Sequence, residues 1–207
     1  MAKPNGVFCV EGEWHADLAE RGSVLPTLEL LERLGRLRFI HRDTATADEL
    51  RYFLDSWLSS RRYAAYEVGF FASPGTPTSL QLSGKHTVDL TDIAGWMSGR
   101  CGGKRLYFGS RSILRASEAS LRAFLTETGA TMVCGFTKHL DWVESAAFET
   151  TLLERLVNGR RVDSAETLFR SARWAPMARH LGFRVVYRHD ADRKPSVSSA
   201  GFSETPE

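Results

Sequence analysis

Lys104-Arg-Leu-Tyr-Phe-Gly-Ser-Arg-Ser-Ile-Leu114 is the stretch on which the fold reading turns. Gly102 and Gly103 form a turn ahead of it, and Leu106-Tyr107-Phe108 is an apolar run short enough for a buried strand. Gly109-Ser110-Arg111-Ser112 then breaks the run with small and polar residues. In a parallel sheet, ligands and chemistry gather at the carboxyl ends of the central strands. Ser110, Arg111 and Ser112 are therefore the first site candidates.

The rest of the chain supplies the partners such a strand needs. Val7–Val10, Leu37–His41, Tyr66–Ala72, Thr131–Phe136 and Phe183–Tyr187 read as further strands. Helical spacing joins them. Val24, Leu28, Leu31 and Leu34 form one helix, with Ser23 expected as its N-cap and Gly35 as its stop. Thr46-Ala-Asp-Glu49 has the form of a capping box, and Leu50, Phe53, Leu54, Trp57 and Leu58 continue it as an amphipathic stripe. Ser79–Leu82 and His86–Leu90 read as a small hairpin. Thr91 is expected to cap a short helix with Ile93 and Met97, and Ser117 one with Leu121, Phe124 and Leu125. Asp141-Trp142 leads into a helix bearing Phe148, Leu152 and Leu156, stopped at Gly159. Ser164 is expected to cap another, with Leu168 and Ala172, broken or restarted at Pro176.

Strands alternating with helices predict an α/β domain: a three-layer αβα sandwich around a mainly parallel sheet of about six strands. One domain is expected over residues 1–189. From Asp190 onward Lys, Pro, Ser, Gly and Glu dominate, which predicts a disordered tail over 190–207.

Bulk composition narrows the function classes. The 207 residues are 43% hydrophobic and carry a net charge of +2, so nothing in the balance calls for nucleic acid or an anionic membrane. The arginines are scattered along the chain rather than clustered. Cys9, Cys101 and Cys134 form no CxxC pair and no zinc pattern. No apolar run approaches membrane-spanning length and no signal-peptide core follows Met1, so a soluble cytoplasmic protein is expected. Neither a phosphate-binding loop, a dinucleotide fingerprint nor an EF-hand loop occurs, and no cofactor or metal is expected.

From the third strand onward the order of parts resembles the caspase-like peptidase fold. That fold carries a small hairpin between its third strand and the next helix. A catalytic His-Gly pair follows its third strand, and a catalytic Cys ends its fourth. Cys101-Gly-Gly-Lys-Arg-Leu-Tyr-Phe-Gly-Ser-Arg111 is similar to the second of these stretches. Thr137-Lys-His-Leu-Asp-Trp142 and the Leu-rich helix after it are similar to the segment that lines the substrate cleft. The resemblance spans roughly residues 5–188.

Two departures decide what it implies. Arg111 falls where the nucleophilic Cys belongs, and a guanidinium stays protonated and cannot attack a carbonyl. Phe71-Ala72 falls where His-Gly belongs, and neither a phenyl ring nor the neighbouring Ala72 or Ser73 supplies a general base. The resemblance thus implies a catalytically inactive caspase-like domain, a scaffold or regulator that binds a protein or peptide through the old cleft. Cleft candidates are Glu11, Glu13, Ser73, Ser110, Arg111, Ser112, His139, Asp141 and Trp142. Glu11 and Glu13, at the end of strand one, would suit a basic side chain of a partner, remain solvated, or pair internally with Arg111 across neighbouring strands. Two other readings stay open. One is a hydrolase using Ser110 or Ser112 with His41 or His139. The other is an unrelated α/β ligand-binding domain. Among residues set aside, His41-Arg42-Asp43 reads as surface, Cys9 and Cys134 as core, and Cys101 as an exposed thiol in a Gly-rich turn.

Overall fold

A computed structural model describes residues 5–17, 19–84, 86–109, 112–138 and 141–189. Its elements run β1 (Gly6–Glu11), α1 (Leu25–Arg33), β2 (Arg38–Asp43), α2 (Ala47–Ser59), β3 (Tyr66–Ala72), β4 (Ser79–Ser83), β5 (His86–Asp89), α3 (Leu90–Trp96) and β6 (Arg105–Phe108). They continue with α4 (Glu118–Thr128), β7 (Met132–Phe136), α5 (Trp142–Asn158), α6 (Ser164–Phe169), α7 (Ala175–Leu181) and β8 (Phe183–Tyr187). One six-stranded sheet has the order β2-β1-β3-β6-β7-β8, and β4-β5 is a separate antiparallel hairpin. Every pairing in the large sheet is parallel except β7 with β8.

The central strands are apolar on both faces because both are covered, and their period of two deals alternate residues to two cores. Phe8, Val10, Phe71, Leu106, Phe108 and Val133 face one layer, built from Leu50, Leu54 and Trp57 of α2, Ile93 of α3 and Leu121, Phe124 and Leu125 of α4. Val7, Cys9, Phe70, Tyr107, Met132 and Cys134 face the other, with Leu28 and Leu31 of α1, Phe148, Leu152 and Leu156 of α5, and Phe169 and Leu181 from α6 and α7. The molecule is therefore a three-layer sandwich, as the alternation of elements predicts.

Half of the helix starts are where the side-chain chemistry puts them. Thr46 and Glu49 form the expected capping box, Ser117 caps α4 and Asp141 caps α5. Three expected caps differ. Val24, not Ser23, holds the N-cap position of α1, although the Ser23 hydroxyl both donates to Glu11 and accepts the Leu25 N–H at 3.0 Å. The third helix starts at Leu90, ahead of Thr91, straight out of β5. Ser164 lies inside α6 and its hydroxyl accepts from the Arg161 N–H, so Asp163 takes the N-cap position. Pro176 restarts the chain as α7, its missing N–H harmless in a first turn. The tail expected from Asp190 lies outside the described residues.

Cys101 is a correction: it is buried, not exposed. Its N–H bonds to the Thr128 carbonyl at 2.9 Å, which draws the residue under the end of α4 and leaves Gly102 and Gly103 to make the turn. Burial pushes its thiol up to about 12. Cys9 and Cys134 are core residues as expected, their thiols also raised by burial.

One ionisable group sits inside a core layer. Glu149 of α5 is 7% exposed, and its carboxylate accepts the hydroxyl of Tyr107, which is itself fully buried. Burial raises the carboxyl to about 7, against the lowering effect of the Tyr107 hydrogen bond and with a further push from Glu11. A carboxyl raised in the folded state binds its proton more tightly there than in the unfolded chain. Stability should therefore rise as pH falls from about 7 to about 4.5 and be lost above that window. The rise from 4.5 to about 7 corresponds to roughly 3 kcal/mol at alkaline pH. Glu149→Gln, which keeps an acceptor for Tyr107, should stabilise the domain by about 1–3 kcal/mol at pH 8 and little at pH 5. Urea denaturation of both proteins at the two pH values measures it, and an equal difference at both would refute the assignment.

Candidate functional site

Glu11 closes β1 at the carboxyl edge of the sheet and is 3% exposed. Its Oε1 accepts the indole N–H of Trp14 at 2.6 Å and the backbone N–H of Val24 at 2.9 Å. Its Oε2 accepts the hydroxyl of Ser23 at 2.7 Å and lies 2.6 Å from His41 Nε2. Four partners fill the acceptor capacity of a carboxylate. Burial alone would raise its pKa; the hydrogen bonds from His41, Ser23, Val24 and Trp14 outweigh that and hold it below the usual value. The backbone adds to the knot: Thr44 donates its N–H to the Glu11 carbonyl at 2.7 Å and its hydroxyl at 3.1 Å.

This geometry corrects two expectations. Glu11 is not a solvated carboxylate. Nor is β1 the neighbour of the anchor strand, since β3 stands between β1 and β6. Arg111, its expected partner, lies outside the described residues, as do Ser110 and His139. His41, read as a surface residue, has a side chain only 10% exposed. The register explains it: β2 pairs with β1 at Cys9↔His41 and Glu11↔Asp43, which brings the imidazole to the end of the neighbouring strand.

The other predicted residues fall into three groups. Glu13 and Ser73 hold the β4–β5 hairpin against the rim. Glu13 Oε2 accepts the Gly84 N–H at 3.1 Å, and the Ser73 hydroxyl donates to the Gln81 carbonyl. Gly12 must be small here, for a Cβ would stand 2.7 Å from Ser73 Oγ and 2.9 Å from the Gln81 carbonyl. Phe71 is 1% exposed and stacks on Phe108 with centroids 4.7 Å apart, so its ring belongs to the core layer under α2 and α4. Trp142 and Ser112 come together in one cleft beyond β6 and β7, with Asp141 next to Trp142 in the chain. Asp141 is spent as the cap of α5, while Trp142 packs edge-on against Trp14 at 5.1 Å.

Two clefts open along this edge and share Trp14 and His15. The first, about 410 Å³, carries the carboxylates of Glu11, Glu13, Asp17, Glu20, Asp43 and Glu49, with no Lys or Arg among the described residues that line it. The second, about 310 Å³, is bounded by Trp14, His15, Trp142, Pro74, Ser112 and Arg115. Arg115 is held there by its Nε–H bond to the Thr137 carbonyl at 2.6 Å. Sequence reading missed Trp14, His15, Ser23 and Arg115. Only the crowding of Glu11-Gly-Glu-Trp14 at a strand end pointed toward the first two.

What can this arrangement do? The three thiols are buried and raised, so they supply no thiolate at the edge. Ser23, Glu11 and His41 superficially suggest a triad, but the carboxylate lies between the hydroxyl and the imidazole. In nucleophilic catalysis the imidazole must sit next to the hydroxyl to take its proton. This trio ties structure together instead. Glu11→Ala should strand four hydrogen-bonding groups and cost about 3–5 kcal/mol. Trp14→Phe, which loses one donor, should cost about 1–2 kcal/mol. Equilibrium denaturation gives both values; a Glu11→Ala loss below that of Trp14→Phe would sink the account.

No curated protein matches this sequence. A family model described as "Family of unknown function (DUF6642)" matches residues 4–187, and the chain belongs to that family.

Proposed function

We propose that this domain is a non-catalytic, caspase-like module that binds an extended peptide along the carboxyl edge of its sheet, with a basic side chain of the peptide in the acidic cleft. The observation that carries this reading is the pairing of the two clefts. Carboxylates with no Lys or Arg among the described lining residues meet a Trp14–Trp142 wall at a shared Trp14 and His15. A Lys or Arg side chain gains from both, its charge from the carboxylates and its stem from the indoles. Rigid aromatic groups at a rim are common anchors for a protein partner.

The six-stranded sandwich and the hairpin between β3 and α3 support the caspase-like part of the reading, since both belong to that order of parts. Buried thiols and a Ser–Glu–His order unsuited to proton transfer support the absence of catalysis. They also weaken the hydrolase alternative, whose His41 is committed to Glu11. No helix among the described residues is long and apolar enough to cross a membrane. Three free cysteines fit a reducing compartment such as the cytoplasm.

Fluorescence anisotropy with labelled peptides that differ only in one central Arg, Lys, Ala or Glu tests the proposal. The Arg and Lys peptides should bind best, weaken as salt rises from about 50 to 300 mM, and lose at least tenfold in affinity with Glu20→Lys or Trp142→Ala. No peptide should be cleaved. Equal affinity for the Glu peptide would reject the acidic-cleft reading. Cleavage abolished by Ser112→Ala would favour the hydrolase.

A further inference from the structure

We infer that Glu11, His41 and Asp43 form a binding site for a divalent transition-metal ion of the zinc class at the floor of the acidic cleft. Each of the three offers one ligand atom, and these atoms all lie within 4.8 Å of one another. The inference does not depend on peptide binding, for it concerns only two adjacent strand ends.

The backbone prearranges the set. Glu11 and Asp43 are register partners across the β1–β2 pairing, and His41 precedes Asp43 by two residues. The period of a strand therefore puts all three on one face. Ligands on paired strands hold their spacing better than ligands on loops. Glu11 also has the outer contacts of a fixed ligand. The Trp14 indole, the Val24 N–H and the Ser23 hydroxyl all donate to it and fix its orientation.

Charge supplies an independent argument. Asp43 is exposed in the cleft wall, and its side chain has no hydrogen-bond or ion-pair partner among the described residues. Its carboxylate nevertheless stands within 4.8 Å of the Glu11 carboxylate. Two like charges at that separation repel, and no Lys or Arg among the described lining residues compensates them. A divalent ion would neutralise both. An imidazole beside two carboxylates suits zinc-like ions better than calcium or magnesium, which prefer oxygen donors throughout.

One contact must yield. His41 Nε2 and Glu11 Oε2 are 2.6 Å apart through a shared hydrogen. Two ligands of a tetrahedral zinc stand about 3.3 Å apart, given metal–ligand bonds of about 2.0–2.1 Å. The pair therefore has to open by less than ~1 Å, while the three outer hydrogen bonds stay. A water would complete the coordination from the cleft side.

The test uses the full chain, freed of metal by chelator, titrated calorimetrically with zinc chloride alone and with magnesium chloride for comparison. We expect one zinc per chain, a higher melting temperature with zinc, and at least tenfold weaker magnesium binding. Asp43→Asn should lower zinc affinity tenfold or more without lowering the metal-free melting temperature, because the Asp43 side chain has no partner to lose and its charge only repels Glu11. His41→Gln should abolish binding. Should His41→Gln fail to fold, Asp43→Asn still decides. No stoichiometric zinc binding by the natural chain, or unchanged affinity in Asp43→Asn, would overturn the inference.

Discussion

A buried carboxylate at a strand end has to find donors, and Glu11 finds them on three separate segments. The rim loop gives Trp14, the entry to α1 gives Ser23 and Val24, and the edge strand gives His41. Leaving such a charge unpaired in a low-dielectric interior is far more costly than any single hydrogen bond is worth. The loop after β1, the start of α1 and the position of β2 are therefore fixed together. Everything at the carboxyl edge inherits its geometry from that knot. Trp14 is held for its contact with Trp142, and the chain past Glu11 is turned so that Glu13 can meet the hairpin.

Below the edge, the domain obeys simpler rules. Two apolar layers sandwich central strands that have no solvated face, and aromatic rings fill much of both. Phe71 on Phe108 and Phe148 on Phe169 are stacked pairs, one in each layer. The Glu149–Tyr107 contact is the exception, a carboxyl among aromatics with a hydroxyl as its partner rather than a cation. It lines neither cleft, so its part is in stability, though the Glu11 charge at the rim still pushes its carboxyl up.

The edge combines groups that resist nucleophilic catalysis but favour recognition. Acidic side chains with unspent acceptor capacity face one cleft, and indoles wall the next. Fields in a concave site with low-dielectric walls are focused, so a cationic ligand is attracted even where no single ion pair is ideal. The same concentration of negative charge at Glu11 and Asp43 is what a divalent ion would relieve. Peptide and metal readings thus grow from one electrostatic fact, at two depths of the same cleft.

Local chemistry alone determined much of this protein. Apolar runs of strand length, helical stripes and caps such as Thr46 with Glu49 are decided within a few residues, so the alternation, the hairpin and the sandwich were legible in the chain. The β3 boundaries, Tyr66 to Ala72, could be read directly from composition. Strand order could not. Side chains separated by 30 residues, like Glu11 and His41, meet only because β2 docks beside β1 in one register, and a shift of one residue would turn His41 to the other face. Ser23 looks like the N-cap, but the helix begins one residue later and its hydroxyl also donates to the buried Glu11 carboxylate. Cys101 looks exposed until α4 covers it. Burial, strand register and hydrogen bonds between distant segments are properties of the assembled fold, and they turned a histidine read as surface into the partner of Glu11.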